Sequence, residues 1–176
     1  VRHRIEKVII AYRDSNSWDL CRGKLSLDEF WERFYQNLKN IGLSIEFTKF
    51  KDARKEIYLN LPMDLKMLEI AKKIKDEGFK IGIITDNNTE RVSTILLNNV
   101  RVEFDFILVS DKLKMIKEDP ELFSMVKDKY GDSVFIDNSK KNCENATAGG
   151  IAGIYFDDAV RDYTSLEQSL RKRPPS

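Results

Sequence analysis

The sequence predicts an α/β protein, with a parallel sheet carrying helices on both faces and a small all-α region ahead of it. Three observations predict it. Residues 1–63 show only the helical spacing of apolar residues. From Asp64 onward, short continuous apolar runs alternate with helical patterns, the signature of parallel strands covered on both sides. Each apolar run then ends on small polar or acidic residues, the dress of a ligand-binding strand end.

The helical region is read first. Ile5, Val8, Ile9 and Tyr12 lie at i, i+3, i+4 and i+7, one face of a helix, and residues 14–23 break it. Ser26-Leu27-Asp28-Glu29 has the form of a capping box and opens a helix with Leu27, Phe30, Trp31, Phe34 and Leu38 on one stripe. Together with Trp18, the aromatic residues of this stripe are expected to form the core of the helical region. A third helix is expected from Thr48 to Tyr58, and Leu61-Pro62-Met63 ends the region.

The second region changes period. A helix from about Asp64, with Leu65, Leu68, Ile70, Ala71 and Ile74 inward, stops at Gly78. Phe79 to Thr85 reads as a buried strand, followed by a helix carrying Val92, Ile95 and Leu96. Phe106 to Val109 is the next strand, and Asp119-Pro120 opens a helix with Leu122, Phe123 and Val126 inside. Ser133 to Asp137 is the third strand, a short helix runs to Gly149-Gly150, and Ile151 to Phe156 is the fourth. A last helix fits Ser165 to Leu170, and the basic, Pro-ended residues 172–176 read as a frayed tail.

Composition narrows the function classes. Apolar residues make up 41% of the 176, enough for a packed core, and charged residues 34% with a net charge of +1, so nothing favours nucleic acid as a partner. No apolar run approaches the roughly 18 residues of a membrane span. Cys21 and Cys143 have no metal-ligand spacing and suit a reduced, cytoplasmic protein. His3, the only histidine, lies near a terminus, which disfavours histidine acid–base chemistry.

The chemistry should therefore sit at the strand ends. These are Thr85-Asp86-Asn87-Asn88, Ser110-Asp111 with Lys117 further on, Asp137-Asn138-Ser139, and Asp157-Asp158. Taken singly, Asp86, Asp111, Asp157 and Asp158 read as caps or turn residues. Taken together, the set suits an anion and a cation. A hydroxyl and the N–H groups of a helix start can hold phosphate oxygens, and a Lys neutralises their charge. An Asp with oxygen-bearing neighbours suits Mg²⁺, which takes few protein ligands and keeps water.

Three stretches then carry a family resemblance: Ile83-Ile84-Thr85-Asp86-Asn87, Ile116 to Phe123, and Val134 to Ser139 with Asn142, Ala146 and Gly150 downstream. In order and spacing they resemble the second, third and fourth motifs of the haloacid dehalogenase superfamily, and Arg22 to Trp31 resembles the helical cap of its subfamily I. The resemblance implies a Rossmann-like core at 64–171 with residues 1–63 as a helical cap. It implies Mg²⁺-dependent phosphatase chemistry through an aspartyl-phosphate, acting on a small phosphorylated metabolite. Thr85, Asp86 and Lys117 would bind phosphate, with Lys117 also catalytic. Asp137 and Asn138 would hold the metal.

Two departures accompany it. The family's first motif, a strand ending Asp-x-Asp that supplies nucleophile and general acid/base, is not found. The internal candidate is Val8 to Asp14, which would place Tyr12 at the nucleophile; the favoured expectation is that the strand lies upstream of Val1, leaving this chain inactive alone and its sheet open at a central position. Asn138 stands where many relatives carry a second Asp, and Glu118 replaces a common Pro. A non-catalytic domain binding a phosphorylated ligand or a protein partner is the alternative function.

Overall fold

A computed structural model of the chain describes residues 2–43, 46–99 and 102–171. The tail 172–176 and the side chains of His3 and Ile5 lie outside the described residues. The elements run α1 (Arg2–Arg13), α2 (Ser17–Cys21), α3 (Leu27–Asn40), α4 (Phe47–Leu59), α5 (Leu65–Asp76), β1 (Gly82–Thr85), α6 (Thr89–Asn99) and β2 (Phe106–Val109). They continue α7 (Ser110–Leu113), α8 (Pro120–Tyr130), β3 (Val134–Asp137), α9 (Lys140–Ala148), β4 (Ala152–Tyr155) and α10 (Tyr163–Arg171).

The chain divides into two compact units. The first comprises residues 1–63, 86–100 and 109–114, and the second comprises 64–85, 101–108 and 115–176. The helical unit thus takes in two segments of the alternating region. Packing explains it: Arg91 of α6 lies over the Tyr58 ring of α4 at 4.8 Å, and Lys114, just past α7, donates to the Gly23 carbonyl at 2.9 Å.

The core of the first unit follows the capping box and the aromatic stripe. Ser26 Oγ accepts from the Glu29 N–H at 3.2 Å, and Glu29 Oε2 accepts from the Ser26 N–H at 2.8 Å, so the start of α3 satisfies its own donors. Leu27, Phe30, Trp31, Phe34 and Leu38 are all buried, as the spacing predicts. The Tyr12 ring meets Phe30 at 5.1 Å and Phe34 at 5.5 Å, both edge to face. The helical reading of Val8 and Tyr12 holds, and it sets aside Val8 to Asp14 as the internal candidate for the first motif: Tyr12 is a helical core residue, not a stand-in nucleophile. The inward face of α1 is Val8, Ala11 and Tyr12, and Ile9 points out at 61% exposure. Trp18 is also exposed, so it lies outside the aromatic core.

The second unit is built on short strands. β3 and β4 pair in parallel with Val134 opposite Ala152 and Asp137 opposite Tyr155. β1 and β2 form a separate two-stranded sheet, so among the described residues no ladder joins β1 to β3. Strands covered on both faces were expected in a sheet open at a central position; here Gly82 is exposed and Ile83, Ile84 and Thr85 are only partly buried. A strand with one partner keeps an open edge, and its side chains lose cover from the neighbour they would otherwise have. Phe123, Val126, Phe135, Ala146 and Ile151 make the core behind the strands, with Ile84 and Leu108 against it. A second cluster, Ile70, Phe156 and Leu166, seats α5 and α10. Leu65, expected inward, is 69% exposed because it begins α5, just past the Asp64 cap.

Candidate active site

The site is built on the end of β3. Asp137 is the last residue of that strand, and its carboxylate is engaged on both oxygens. Oδ2 receives the Lys117 ammonium at 2.7 Å; Oδ1 accepts from the Ser139 N–H at 2.8 Å and from Asn142 Nδ2 at 3.1 Å. The pair is largely withdrawn from water, with 17% of the Lys117 side chain and 9% of the Asp137 side chain exposed. A charge pair in such surroundings is held by geometry as much as by attraction, because each partner left alone would pay for its lost hydration.

Lys117 reaches Asp137 because its loop is tied down twice. Asp119 Oδ2 accepts from the Ile116 N–H at 2.9 Å, closing the turn. Asn145, buried on α9, donates from Nδ2 to the Lys117 carbonyl at 3.0 Å. Asn142 and Asn145 stand three residues apart on α9, so one helical face serves both members of the pair. Asn145 escaped the sequence reading. Its only signal was a polar residue at i+3 from Asn142, which acquires meaning once the helix is known to face β3.

Asn138 is turned elsewhere. Its Nδ2 donates to Asp158 Oδ2 at 3.0 Å, so the two expected metal residues engage different partners. Thr85 ends β1 in the same unit, partly buried. Asp86 groups with the helical unit, where its carbonyl accepts from the Cys21 thiol at 3.5 Å. Glu118 is exposed.

Of the N–H groups that follow Thr85, those of residues 87–89 have acceptors within the protein. The Asn87 N–H donates to Ser110 Oγ at 2.9 Å, the Asn88 N–H to Asn87 Oδ1 at 3.0 Å, and the Thr89 N–H to Asp111 Oδ2 at 2.8 Å. Asp111 also takes the Thr89 hydroxyl at 2.6 Å. A buried carboxylate already caps the start of α6 and offsets its helix dipole, which leaves that terminus poorly disposed toward an anion. Asp111 is therefore a cap, as its residue type suggested.

Burial pushes both cysteine thiols up from their ordinary range; the carboxylate of Asp86 adds to this at Cys21, and that of Asp137 at Cys143. Among the described residues, no three His, Cys, Asp or Glu side chains converge as a metal cluster.

Residues 16–156 match the family model described as haloacid dehalogenase-like hydrolase. The chain belongs to that family. Curated relatives of this haloacid dehalogenase-like chain include the bifunctional epoxide hydrolase 2 of Rattus norvegicus, 28% identical over 143 residues, covering 76% of this chain and 24% of that protein. The protein of the same name from Sus scrofa is 29% identical over 132 residues, covering 70% and 22%. The chain thus spans about a quarter of the length of these curated relatives.

Solved structures of the family share the fold. A haloacid dehalogenase family enzyme of Bacteroides thetaiotaomicron, solved as an Asp-to-Ala mutant with magnesium and inorganic phosphate, aligns with a TM-score of 0.69 at 19% identity, over 92% of this chain and 90% of that one. An L-2-haloacid dehalogenase aligns with a TM-score of 0.66 at 15% identity, over 94% and 86%. At these identities the likeness concerns the fold. No described helix is long and apolar enough to cross a membrane.

Proposed function

We propose that this haloacid dehalogenase-like hydrolase is a Mg²⁺-dependent phosphatase acting on a small phosphorylated metabolite, with its attacking aspartate carried by a strand outside these 176 residues. The observation that carries the reading is the Lys117–Asp137 pair at the end of β3. A withdrawn ammonium held by a carboxylate on a rigid strand end is pre-set to receive phosphoryl charge without reorganising. Thr85, ending β1, supplies a hydroxyl for a phosphate oxygen, and the Asp86 N–H lies next in the chain. Because the start of α6 is capped by Asp111, the reading leans on Lys117 for charge neutralisation.

Two features support a nucleophile from elsewhere. The sequence holds no Asp-x-Asp. Among the described residues the strands pair as two separate sheets, and β1 and β3 each have one ladder partner there, which leaves a place for another strand. The ligands of the Bacteroides enzyme, magnesium and phosphate, are the two that this reading assigns here.

The donors present are oxygens of the kind Mg²⁺ takes: the Asp137 carboxylate and the Asn138 amide oxygen. The set is thin, since Asp137 Oδ1 already accepts two N–H donors and Oδ2 faces Lys117. When bound there, the cation would supply Lewis-acid stabilisation of phosphate charge. The same thinness favours the second reading, a non-catalytic domain that binds a phosphorylated ligand or a protein partner. Dehalogenase chemistry ranks lower, because it has no use for the acid–amide pair at the end of β3.

The test is a longer protein carrying an upstream strand that ends Asp-x-Asp. It should hydrolyse an aryl phosphate with Mg²⁺, and Lys117→Ala should lower the rate about a hundredfold or more. Full turnover in the Lys117→Ala protein, or without added metal, would overturn the mechanism. The 176-residue chain should be inactive, and turnover by it would mean the nucleophile lies within it.

A further inference from the structure

We propose that an acid-rimmed apolar groove between β4 and α10 is the docking site for the chain's own basic, proline-bearing segment, residues 172–176. The inference stands apart from the phosphatase reading, and every wall of the groove belongs to the second unit.

The groove has a volume of about 210 Å³ and opens to solvent. Phe156 and Leu166 are buried and form its floor, while Val160 is 70% and Tyr155 41% exposed, so apolar surface is left to water. The loop between the two elements is fixed. Asp157 Oδ1 accepts from the N–H groups of Ala159 at 2.9 Å and Val160 at 3.3 Å, and Asp162 Oδ1 accepts from the Ser165 N–H at 3.0 Å. The polar lining presents acceptors. The Ser165 hydroxyl donates to Asp162 Oδ2 at 2.7 Å and the Ser169 hydroxyl to the Ser165 carbonyl at 2.8 Å, so both hydrogens are spent inside the wall. Asp157 and Asp162 are the charged residues of the lining, which holds no Lys, Arg or His. Two neighbouring cations are engaged: Arg161 Nε donates to the Asp158 carbonyl at 2.9 Å, and the Lys140 ammonium lies over the Tyr155 ring at 5.1 Å.

Such a groove suits a segment that brings positive donors, apolar bulk and few backbone N–H groups to leave unsatisfied. Lys172-Arg173-Pro174-Pro175-Ser176 brings all three. Lys172 and Arg173 complement Asp157 and Asp162. The two proline rings carry no N–H and pack on aromatic and aliphatic surface such as Tyr155 and Val160 offer. Reach is sufficient. The segment follows Arg171, the last residue of α10, and Ser169 of the lining lies two residues before that end. From Ser169 back to Asp162 the wall is about 10 Å long at the helical rise. Five residues of extended, proline-type backbone span about 15 Å. A chain that turns back at the end of α10 therefore crosses the whole groove. Its tether also keeps it at high effective concentration, so weak contacts suffice to seat it.

The test uses the full chain in solution. Nuclear Overhauser contacts should run from the Pro174 and Pro175 ring protons to the Val160 methyls and the Tyr155 ring, unchanged on dilution. Val160→Asn, at an exposed position, and the double variant Lys172→Glu/Arg173→Glu should each abolish the contacts to Tyr155 while leaving the core resonances of Phe123 and Phe135 in place. Tryptic cleavage after Arg171 and Lys172, followed by mass spectrometry, should be about tenfold slower in the wild type than in Val160→Asn, because cleavage tracks the undocked fraction. Absent contacts, equal cleavage rates in the two proteins, or contacts that arise only between labelled and unlabelled copies would each overturn the proposal, the last by assigning the groove to a second copy.

Discussion

Asn145 shows how one buried amide sets the direction of a charged side chain. Lys117 sits in a loop, and a loop lysine ordinarily extends into water. Here the Lys117 carbonyl receives Asn145 Nδ2 at 3.0 Å, and the side chain then falls toward Asp137. Asn145→Ala should cost about 1–2 kcal/mol in urea unfolding, the range for leaving a partly buried carbonyl without its donor. Asn145→Asp should cost more, because an acceptor would then face an acceptor. Lys117 and Asp137 could be singled out in the sequence, since their identities and spacing are local facts, and the fold brings the two together. The partners of Asn138 and Lys117 could not, because they come from α9 and from the end of β4, 20 to 28 residues away along the chain.

α9 and β4 are locked together by the absence of a side chain. A Cβ on Gly153 would collide with the Cys143 backbone carbonyl, so strand and helix approach as closely as backbones can. Gly153→Ala should destabilise the chain by about 2 kcal/mol or more in thermal or urea unfolding, since backbone on both sides must shift. Ser26→Ala should cost about 1 kcal/mol by removing the cap of α3, read in the same assay. The long helices were legible within a residue or two because apolar periodicity and caps agree. α2 and α7, with five and four residues, were not, because such short runs complete too few turns to show a period.

The second unit ties its ends through Asp64 and Tyr163, and this contact gives it a pH dependence with two limbs. Burial works against the Asp64 carboxylate, but the Tyr163 hydroxyl at 2.7 Å and the Met67 N–H at 3.0 Å outweigh it and hold Asp64 below its ordinary range. The stability this contributes is present above about pH 4 and is lost as the pH falls through the lowered value. The same bond, with burial and the Asp64 charge, holds the Tyr163 phenol above its ordinary range. That contribution is present below about pH 10 and is lost as the pH rises through the raised value. Melting temperature against pH should therefore fall off on both sides, and Tyr163→Phe should flatten the alkaline limb and part of the acid one. Equal curves for the two proteins would remove the contact from the account.

What the sequence determined by itself was local: a helical region, then strands alternating with helices, with Thr85 and Asp137 at strand ends and Lys117 in the segment ahead of the Asp119-Pro120 helix start. Periodicity and capping are properties of neighbouring residues, so one chain suffices to read them. Tertiary structure alone decided which strands share a ladder, that Asp111 closes the start of α6, that Lys117 and Asp137 meet, and that Asn138 turns to Asp158. Those outcomes depend on hydrogen bonds between segments far apart in sequence. A polar residue at a strand end is compatible with several partners until the fold brings one of them within reach.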